Sequence, residues 1–546
     1  MVAAIVLQLM TAAFAVDNFQ IEKISDSLLQ QMSKSGDEEF DVVIWFDEPE
    51  LISKYRLEYK YTIKKCETEG ATIETVRELK EKYLELVKTT YKSENEKSVA
   101  SLHLNRAVDY LGNYSPVVIT KLTKDEILNL TKVSQVQMLC HNEQIEICDD
   151  YSYDNYRIDD LTRTLPNFTG NGIIIGIYDG SIPNSSFLSE HNIDSSHCFG
   201  IVGPSAGHAA FVTEICMGYA PDATYFFTGN SNESNIYQIE WLISQGVDII
   251  NITVLYSGYN NYNDYTRWLD HVGYQHFLTV VVSSGNSGTN GVLTPGMAYN
   301  AITVGGVKDN NGTYSWYNHS SYYDGTEYAF KPDMSAVETN GTSESAPQVS
   351  GVVAQMMQAR STLIASPDEV KAILQASVDK NQNYYTPSYH LINSSLESYT
   401  KIGAGTLCAN NAIAVASVSD TQSGGVIGGV FTPTSTYTDF NFLVDENHLG
   451  KNLRIVLSFM NPVECSGTHS SSPNTASSNG LADIDVYFYL PDDTLYASSV
   501  TTNNSEIIDL IQVPYEGICK IRIVQTTATN DYVFCGIAWH YSDYTE

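Results

Sequence analysis

At 546 residues the chain is longer than one hydrophobic core normally serves, and about three or four folding units are expected. The formal charge of −34, from 64 Asp+Glu against 30 Lys+Arg, excludes nucleic acid as a partner for the bulk of the protein and fits solubility outside a cell. Beyond the N-terminus no stretch offers the roughly 18 uninterrupted apolar residues of a membrane span, and the nine cysteines form no CxxC metal site.

Residues 1–15 are apolar and end in Ala13-Phe14-Ala15, the small-residue pattern of a secretory signal, although no Lys or Arg precedes them. Export without membrane anchoring is the expectation. Phe40 to Phe46 reads as a buried strand, followed by a long segment with helical spacing through Ile73, Val76, Leu79, Tyr83 and Val87. Val117 to Leu122 is a second strand, Lys124 to Val133 a helix, and Val136, Met138 and Cys140 alternate as a third strand. Residues 16–150 are therefore expected to be a small α+β domain. From 143 to 163 the chain turns acidic and rich in Tyr (Asp149-Asp150-Tyr151-Ser152-Tyr153-Asp154), as a linker and a cleavage zone would.

Between 151 and 420 apolar strands alternate with helices. Ile173 to Tyr178 is almost wholly apolar, as a strand buried on both faces of a parallel sheet must be, and it ends at Asp179. Further strands are read at Thr224–Phe227, Val247–Thr253, Phe277–Ser283 and Ala301–Val304, with helices at Ala209–Met217, Glu233–Gln245 and Tyr265–Gly273 between them. The pattern is that of a doubly wound, mostly parallel α/β sheet, whose active groups belong at the carboxyl ends of its strands. Asp179, His208 and Ser283-Ser284-Gly285-Asn286 fall at strand ends or helix starts. Ser343 opens a helix carrying Val349, Val352, Val353, Met356 and Met357. Taken singly, each has an ordinary explanation: a helix-capping serine, a turn aspartate, a structural histidine. In chain order Asp179, His208, Ser343 they form the set of orienting acid, base and nucleophile that acyl transfer requires.

Here the chain resembles the subtilisin (subtilase, S8-type) family of secreted serine endopeptidases over about residues 155–420. The most specific block is Gly341-Thr342-Ser343-x-Ser345-Ala346-Pro347. Supporting blocks are Ser284-Gly285-Asn286, Ile239-Glu240-Trp241 before Asp248-Ile249-Ile250-Asn251, Lys331-Pro332-Asp333, and Gly403-Ala404-Gly405 before Ala412. The resemblance implies a subtilisin-like fold and a peptide-bond hydrolase. Ser343 would be the nucleophile, His208 the general base, Asp179 its orienting acid and Asn286 an oxyanion donor, with Thr253, Val254, Leu255 and Gly285 lining the substrate. The chemistry calls for no cofactor; structural Ca2+ is a family-level expectation for which no ligands are nominated. Thr294-Pro295-Gly296 resembles a family turn with a cis proline. Departures are His208-Ala209-Ala210 in place of His-Gly-Thr, Asp179-Gly180-Ser181 in place of Asp-Thr/Ser-Gly, Thr253-Val254-Leu255 in place of Ser-Leu-Gly, and the acidic Glu344 beside the nucleophile.

The flanks follow from the resemblance. Residues 16–150 would be a propeptide, folding aid and intramolecular inhibitor, released by self-cleavage in about residues 143–155. Residues 425–546 alternate through Leu453, Ile455, Leu457 and Phe459 and again through Ile484, Val486, Phe488 and Leu490, as the strands of a C-terminal β-sandwich similar to the jelly-roll domains appended to many subtilases. The whole reads as a monomeric, exported zymogen acting on polypeptides. The alternatives are an inactive subtilase-like binding protein and an adhesin using its C-terminal β-sandwich. Six cysteines after residue 150 permit up to three disulfides, whose pairing spacing does not reveal.

Overall fold

The computed structural model describes residues 20–34, 39–104, 107–142, 168–203, 207–229, 234–255, 262–309, 314–323, 330–338, 340–379, 401–417, 424–463, 481–501, 503–510, 512–527, 529 and 531–542. The expected signal and cleavage zone lie outside them. Among the described residues no helix is long and apolar enough to cross a membrane.

The N-terminal region comprises α1 (Asp26–Lys34), β1 (Phe40–Phe46), α2 (Glu50–Glu69), α3 (Ile73–Leu102), β2 (Tyr110–Leu111), β3 (Val117–Leu122), α4 (Lys124–Leu130) and β4 (Val136–His141). Its antiparallel sheet has the order β2-β3-β1-β4. Thr72 caps α3, and a Thr123/Glu126 capping box opens α4. α4 stops at Leu130, short of the expected Val133, where the Thr131 hydroxyl donates to the Leu128 carbonyl at 2.7 Å. Two apolar clusters divide this region. Residues of α1, α4 and one sheet face, including Leu28, Val42, Ile44, Val118 and Leu139, pack among themselves. Tyr59, Ile63, Val76, Tyr83, Val87 and Tyr91 of α2 and α3 instead join the main core of the molecule.

That core is built on β5 (Ile174–Asp179), β6 (Cys198–Gly200), β7 (Thr224–Gly229), β8 (Ile249–Ile252), β9 (Thr279–Ser283), β10 (Ile302–Asp309), β11 (Tyr314–Trp316) and β12 (Met334–Val337). The sheet order is β11-β10-β9-β8-β5-β7-β6, with β12 on β10, and every pairing is parallel except β10–β11. Its helices are α5 (Ser185–Glu190), α6 (His208–Tyr219), α7 (Asn235–Ser244), α8 (Asp264–His276), α9 (Thr342–Ala359), α10 (Pro367–Ala376) and α11 (Ala409–Ser417). This is the mixed, mainly parallel α/β architecture read from the sequence. Both Thr294-Pro295 and the unforeseen Lys331-Pro332 peptides are cis.

After α11 come β13 (Gly424–Phe431), β14 (Tyr437–Val444), β15 (Asn452–Met460), β16 (Asp483–Tyr489), β17 (Leu495–Ser499), β18 (Ser505–Leu510), β19 (Gly517–Thr527) and β20 (Val533–Ser542). They form two antiparallel four-stranded sheets, β13-β20-β15-β18 and β14-β19-β16-β17, which share one apolar cluster containing Leu453, Ile455, Val486, Phe488, Ile521 and Ile537. The first sheet packs on α10 at backbone distance. A Cβ on Gly536 would fall 2.5 Å from the Glu369 Cα, so only glycine fits there. Buried Arg454 of β15 pairs with Asp509 through two bonds of 2.8 Å and donates to the carbonyls of Gln375 and Ala404. The seven cysteines among the described residues are all unbridged; Cys148 and Cys465 lie outside them.

Helices α6 and α9 cross in close contact at Gly351, where a Cβ would lie 2.5 Å from the Tyr219 Cβ and 2.9 Å from the Cys216 carbonyl oxygen. Gly351→Ala should cost about 1–3 kcal/mol by overpacking, measured as a lower urea midpoint; an unchanged midpoint would show that the crossing yields freely.

Candidate active site

Parallel pairing decides which groups meet. β8 lies between β5 and β9, in register as Tyr178↔Ile252 and Ile252↔Val282. The carboxyl ends of three neighbouring strands therefore place Asp179, Thr253 and the Ser284–Asn286 turn along one edge of the sheet.

Asp179 is 3% exposed. Both carboxylate oxygens face His208 Nδ1, at 2.9 Å for Oδ1 and 2.7 Å for Oδ2. Oδ1 also accepts from the Gly180 amide at 2.6 Å, and Oδ2 from the Thr253 hydroxyl at 2.6 Å. Burial pushes this carboxyl's pKa up, but the charge of His208 and the hydrogen bonds from His208, Thr253 and Gly180 prevail and hold it below the ordinary 3.8. A nitrogen facing a carboxylate carries the ring proton, which puts the imidazole lone pair on Nε2.

His208 is the first residue of α6, behind Gly207 in extended conformation. Ala209 and Ala210, which replace the expected Gly and Thr, are both buried, so small side chains keep the helix start close to the sheet.

Ser343 is the second residue of α9 and half-buried; the helix cap is Gly341, which supplies no side-chain bond, so Ser343 is not acting as the cap. First-turn amides of a helix lack acceptors within it. The Thr342 amide is taken by Asn286 Oδ1 at 3.0 Å, and Asn286 Oδ1 also accepts from the Thr342 hydroxyl at 3.2 Å. Thr342 Oγ1 in turn accepts from the Gly285 amide at 3.1 Å. These bonds fasten the Asn286 side chain beside the start of α9 with its Nδ2 against Gly341, where an added Cβ would sit 2.9 Å away.

Gly285 has φ +99°, and a Cβ there would meet Leu293 at 3.0 Å and Leu255 at 3.3 Å. Leu255 and Gly285 are thus neighbours. Val254 is buried, and the Thr253 side chain is committed to Asp179. The roles of Thr253 and Thr342 in holding polar site groups were not foreseen. The first depends on β8 being the neighbour of β5, a pairing that spacing along the sequence does not reveal. Glu344 is 2% exposed, so it does not project into solvent. Among the described residues no group of three or more His, Cys, Asp or Glu is placed to hold a metal ion.

Residues 194–391, which contain His208, Asn286 and Ser343, match the sequence model of the subtilase family. Over these residues the chain is similar to the subtilase family. The chain is 28% identical over 248 residues to subtilisin-like protease 2 of Trichophyton rubrum, covering 41% of this chain and 55% of the relative. It is 25% identical over 299 residues to the thermostable alkaline protease of Halalkalibacterium halodurans, covering 47% of this chain and 78% of that one. The solved structure of fervidolysin from Fervidobacterium pennivorans aligns over 90% of this chain and 77% of its own, with 14% identity and a TM-score of 0.45. The chain spans about half the length of the first curated relatives it matches.

Because folding lowers the Asp179 pKa, its contribution to stability is complete above 3.8 and is lost as pH falls through the lower folded value. The difference in urea midpoint between wild type and Asp179→Asn should therefore persist at about pH 5 and shrink on the acid side of 3.8. A difference that grows there would contradict the pairing.

Proposed function

We propose that this protein is an exported serine endopeptidase of the subtilase family, made as a self-processing zymogen and acting as a monomer on polypeptide substrates. The observation that carries the reading is the Asp179 carboxylate gripping His208 Nδ1 at the same sheet edge as Asn286 and the start of the Ser343 helix. In this mechanism His208 Nε2 takes the Ser343 hydroxyl proton as Oγ attacks the scissile carbonyl carbon. Negative charge collects on the carbonyl oxygen, where Asn286 Nδ2 and the backbone amide of Ser343 donate. His208 then returns the proton to the leaving amine, and an acyl-enzyme remains on Ser343 until water, deprotonated by the same imidazole, hydrolyses it. Asp179 holds the ring and stabilises the imidazolium without being protonated itself. No cofactor enters this chemistry, and structural Ca2+ remains a family-level proposal without nominated ligands.

Residues 151–420 form the catalytic domain in this reading. Residues 1–15 are an export signal, 16–150 a propeptide and 425–546 a β-sandwich that stabilises the catalytic domain. Support for the last role comes from the close seat of β13, β15 and β20 on α10. Thr253–Leu255 and Gly285 would border the substrate, the Thr253 hydroxyl acting on Asp179 while the segment's backbone faces the peptide.

A fluorophosphonate probe should label the matured wild type and not Ser343→Ala, and the Ser343→Ala precursor should persist uncut. Absence of labelling in correctly matured wild type would overturn the proposal. Asn286→Ala should lower kcat by about 10²–10³ with little change in KM, a magnitude established on a subtilisin of this same family. An unaltered kcat would remove Asn286 from the oxyanion site.

A further inference from the structure

The helices α2 and α3 do not sit on the rest of the chain as a detachable cover would. The buried face of α2 comprises Ile52, Arg56, Tyr59, Lys60, Ile63 and Cys66, so two of its six positions are cations. Arg56 is fully buried. It donates to Gln275 at the end of α8, to Glu48, and at 2.5 Å to Asp531 beside β20, and its guanidinium lies 4.4 Å from the Tyr274 ring centre. Lys60 reaches Asp368 of α10 at 3.1 Å, with Ser366 Oγ at 3.0 Å. Lys64 donates to the Gly428 carbonyl of β13 at 2.9 Å. On α3, Lys80 binds Asp248 at 2.8 Å and the Val247 carbonyl at 2.6 Å, while Arg77 takes the other Asp248 oxygen at 2.8 Å.

Asp248 and Asp368 are wholly buried, and the cations bonded to them come from this hairpin. Its aromatic residues complete the main core: Tyr59 and Tyr83 stack at 4.5 Å, and both contact Phe277, which in turn meets Phe534 of β20. A continuous apolar core is the composition of an obligate interface, and each buried ion pair within it leaves an uncompensated charge if one partner is lost. The place of contact differs from the catalytic edge. Asp248 precedes β8, so it marks the amino end of the parallel strands, opposite the carboxyl end that carries Asp179.

We propose that the α2–α3 hairpin is a permanent structural subunit, so that cleavage past residue 142 yields a mature two-chain protein whose N-terminal chain stays bound. The partner of this groove is the chain's own N-terminal segment, which braces the parallel sheet and the C-terminal strands together. The inference rests on the self-processing reading and deepens it: activation does not require departure of the whole N-terminal region. Within that region the retaining contacts are those of Arg56, Lys60 and Lys80. The Glu240 carboxylate of α7, which accepts from Tyr110, Ser115 and the amides of Asn113 and Tyr114, is a separate contact near the small sheet.

The test uses full-length Ser343→Ala carrying a recognition sequence for an unrelated protease within residues 151–160, so that the cut does not depend on self-processing. After nicking, both fragments should elute together from a sizing column in native buffer. Lys80→Met and Arg56→Met, checked as folded by circular dichroism before the cut, should lose the N-terminal fragment from that peak, while Glu240→Gln should retain it. If an arm variant does not fold, urea titration of the nicked parent decides. Release of the fragment together with unfolding of the catalytic region supports the subunit, and release from a still-folded catalytic region overturns it. Separate elution of the unmodified nicked fragments, or release by Glu240→Gln but not by the arm variants, would also overturn it. Absence of cleavage in wild type would defeat the zymogen reading while leaving this measurement intact.

Discussion

An ionised carboxylate at the end of a buried strand is the constraint to which the catalytic region answers. Taking a carboxylate out of water is costly unless donors replace the water. Asp179 is given three: the His208 ring, the Thr253 hydroxyl and the Gly180 amide. Each depends on a different level of the fold. Gly180 requires the chain to turn as it leaves β5, Thr253 requires β8 to be the neighbour of β5, and His208 requires α6 to begin beside that edge. The Gly351 crossing then fixes α9 on α6, so the helix that bears Ser343 is positioned by the helix that bears His208.

The same rule recurs through the molecule at sites with no chemical task. Asp333 sits between Lys331 and Lys371, Asp248 between Lys80 and Arg77, Arg454 against Asp509. Such pairs add little net stability when formed, but removing one partner costs about 3–5 kcal/mol, because the survivor is left charged and dry. They therefore act as registration marks that tie each layer to one particular neighbour. Burial in this protein lowers the Lys371 pKa to about 8 and raises that of Cys216 to about 12. For Lys371 the cost of burial outweighs even the attraction of its partner Asp333.

Much of this was legible in the sequence because it depends on local pattern. The apolar run before Asp179 has the composition of a doubly buried strand, and it is one; β1, β3, β15 and β16 were likewise marked by apolar runs or period-two alternation. The order of Asp179, His208, Asn286 and Ser343 against strand ends gave the candidate site before any geometry. Pairings distant in sequence were not legible. Nothing near Arg56 announces Asp531, and a helix with Arg and Lys on its apolar face looks merely weakly amphipathic until the facing carboxylates are known. The short strands β2, β6 and β11, too brief for periodicity, were missed for the same reason: their existence is decided by the neighbour they pair with. Thr253 was read only as part of a substrate-bordering segment; that its hydroxyl reaches Asp179 follows from the strand order, which sequence spacing does not encode.

The three partners of Arg56, two carboxylates and one amide, also lie far apart in order of synthesis. A ribosome makes Arg56 and Glu48 almost together, Gln275 more than two hundred residues later, and Asp531 close to the end of synthesis. Until that last segment emerges, the guanidinium has only part of its final shell, and a bare cation of this kind keeps the nascent helix hydrated. The junction of the three regions is consequently sealed by the final strand, and a chain released before residue 531 could never close it.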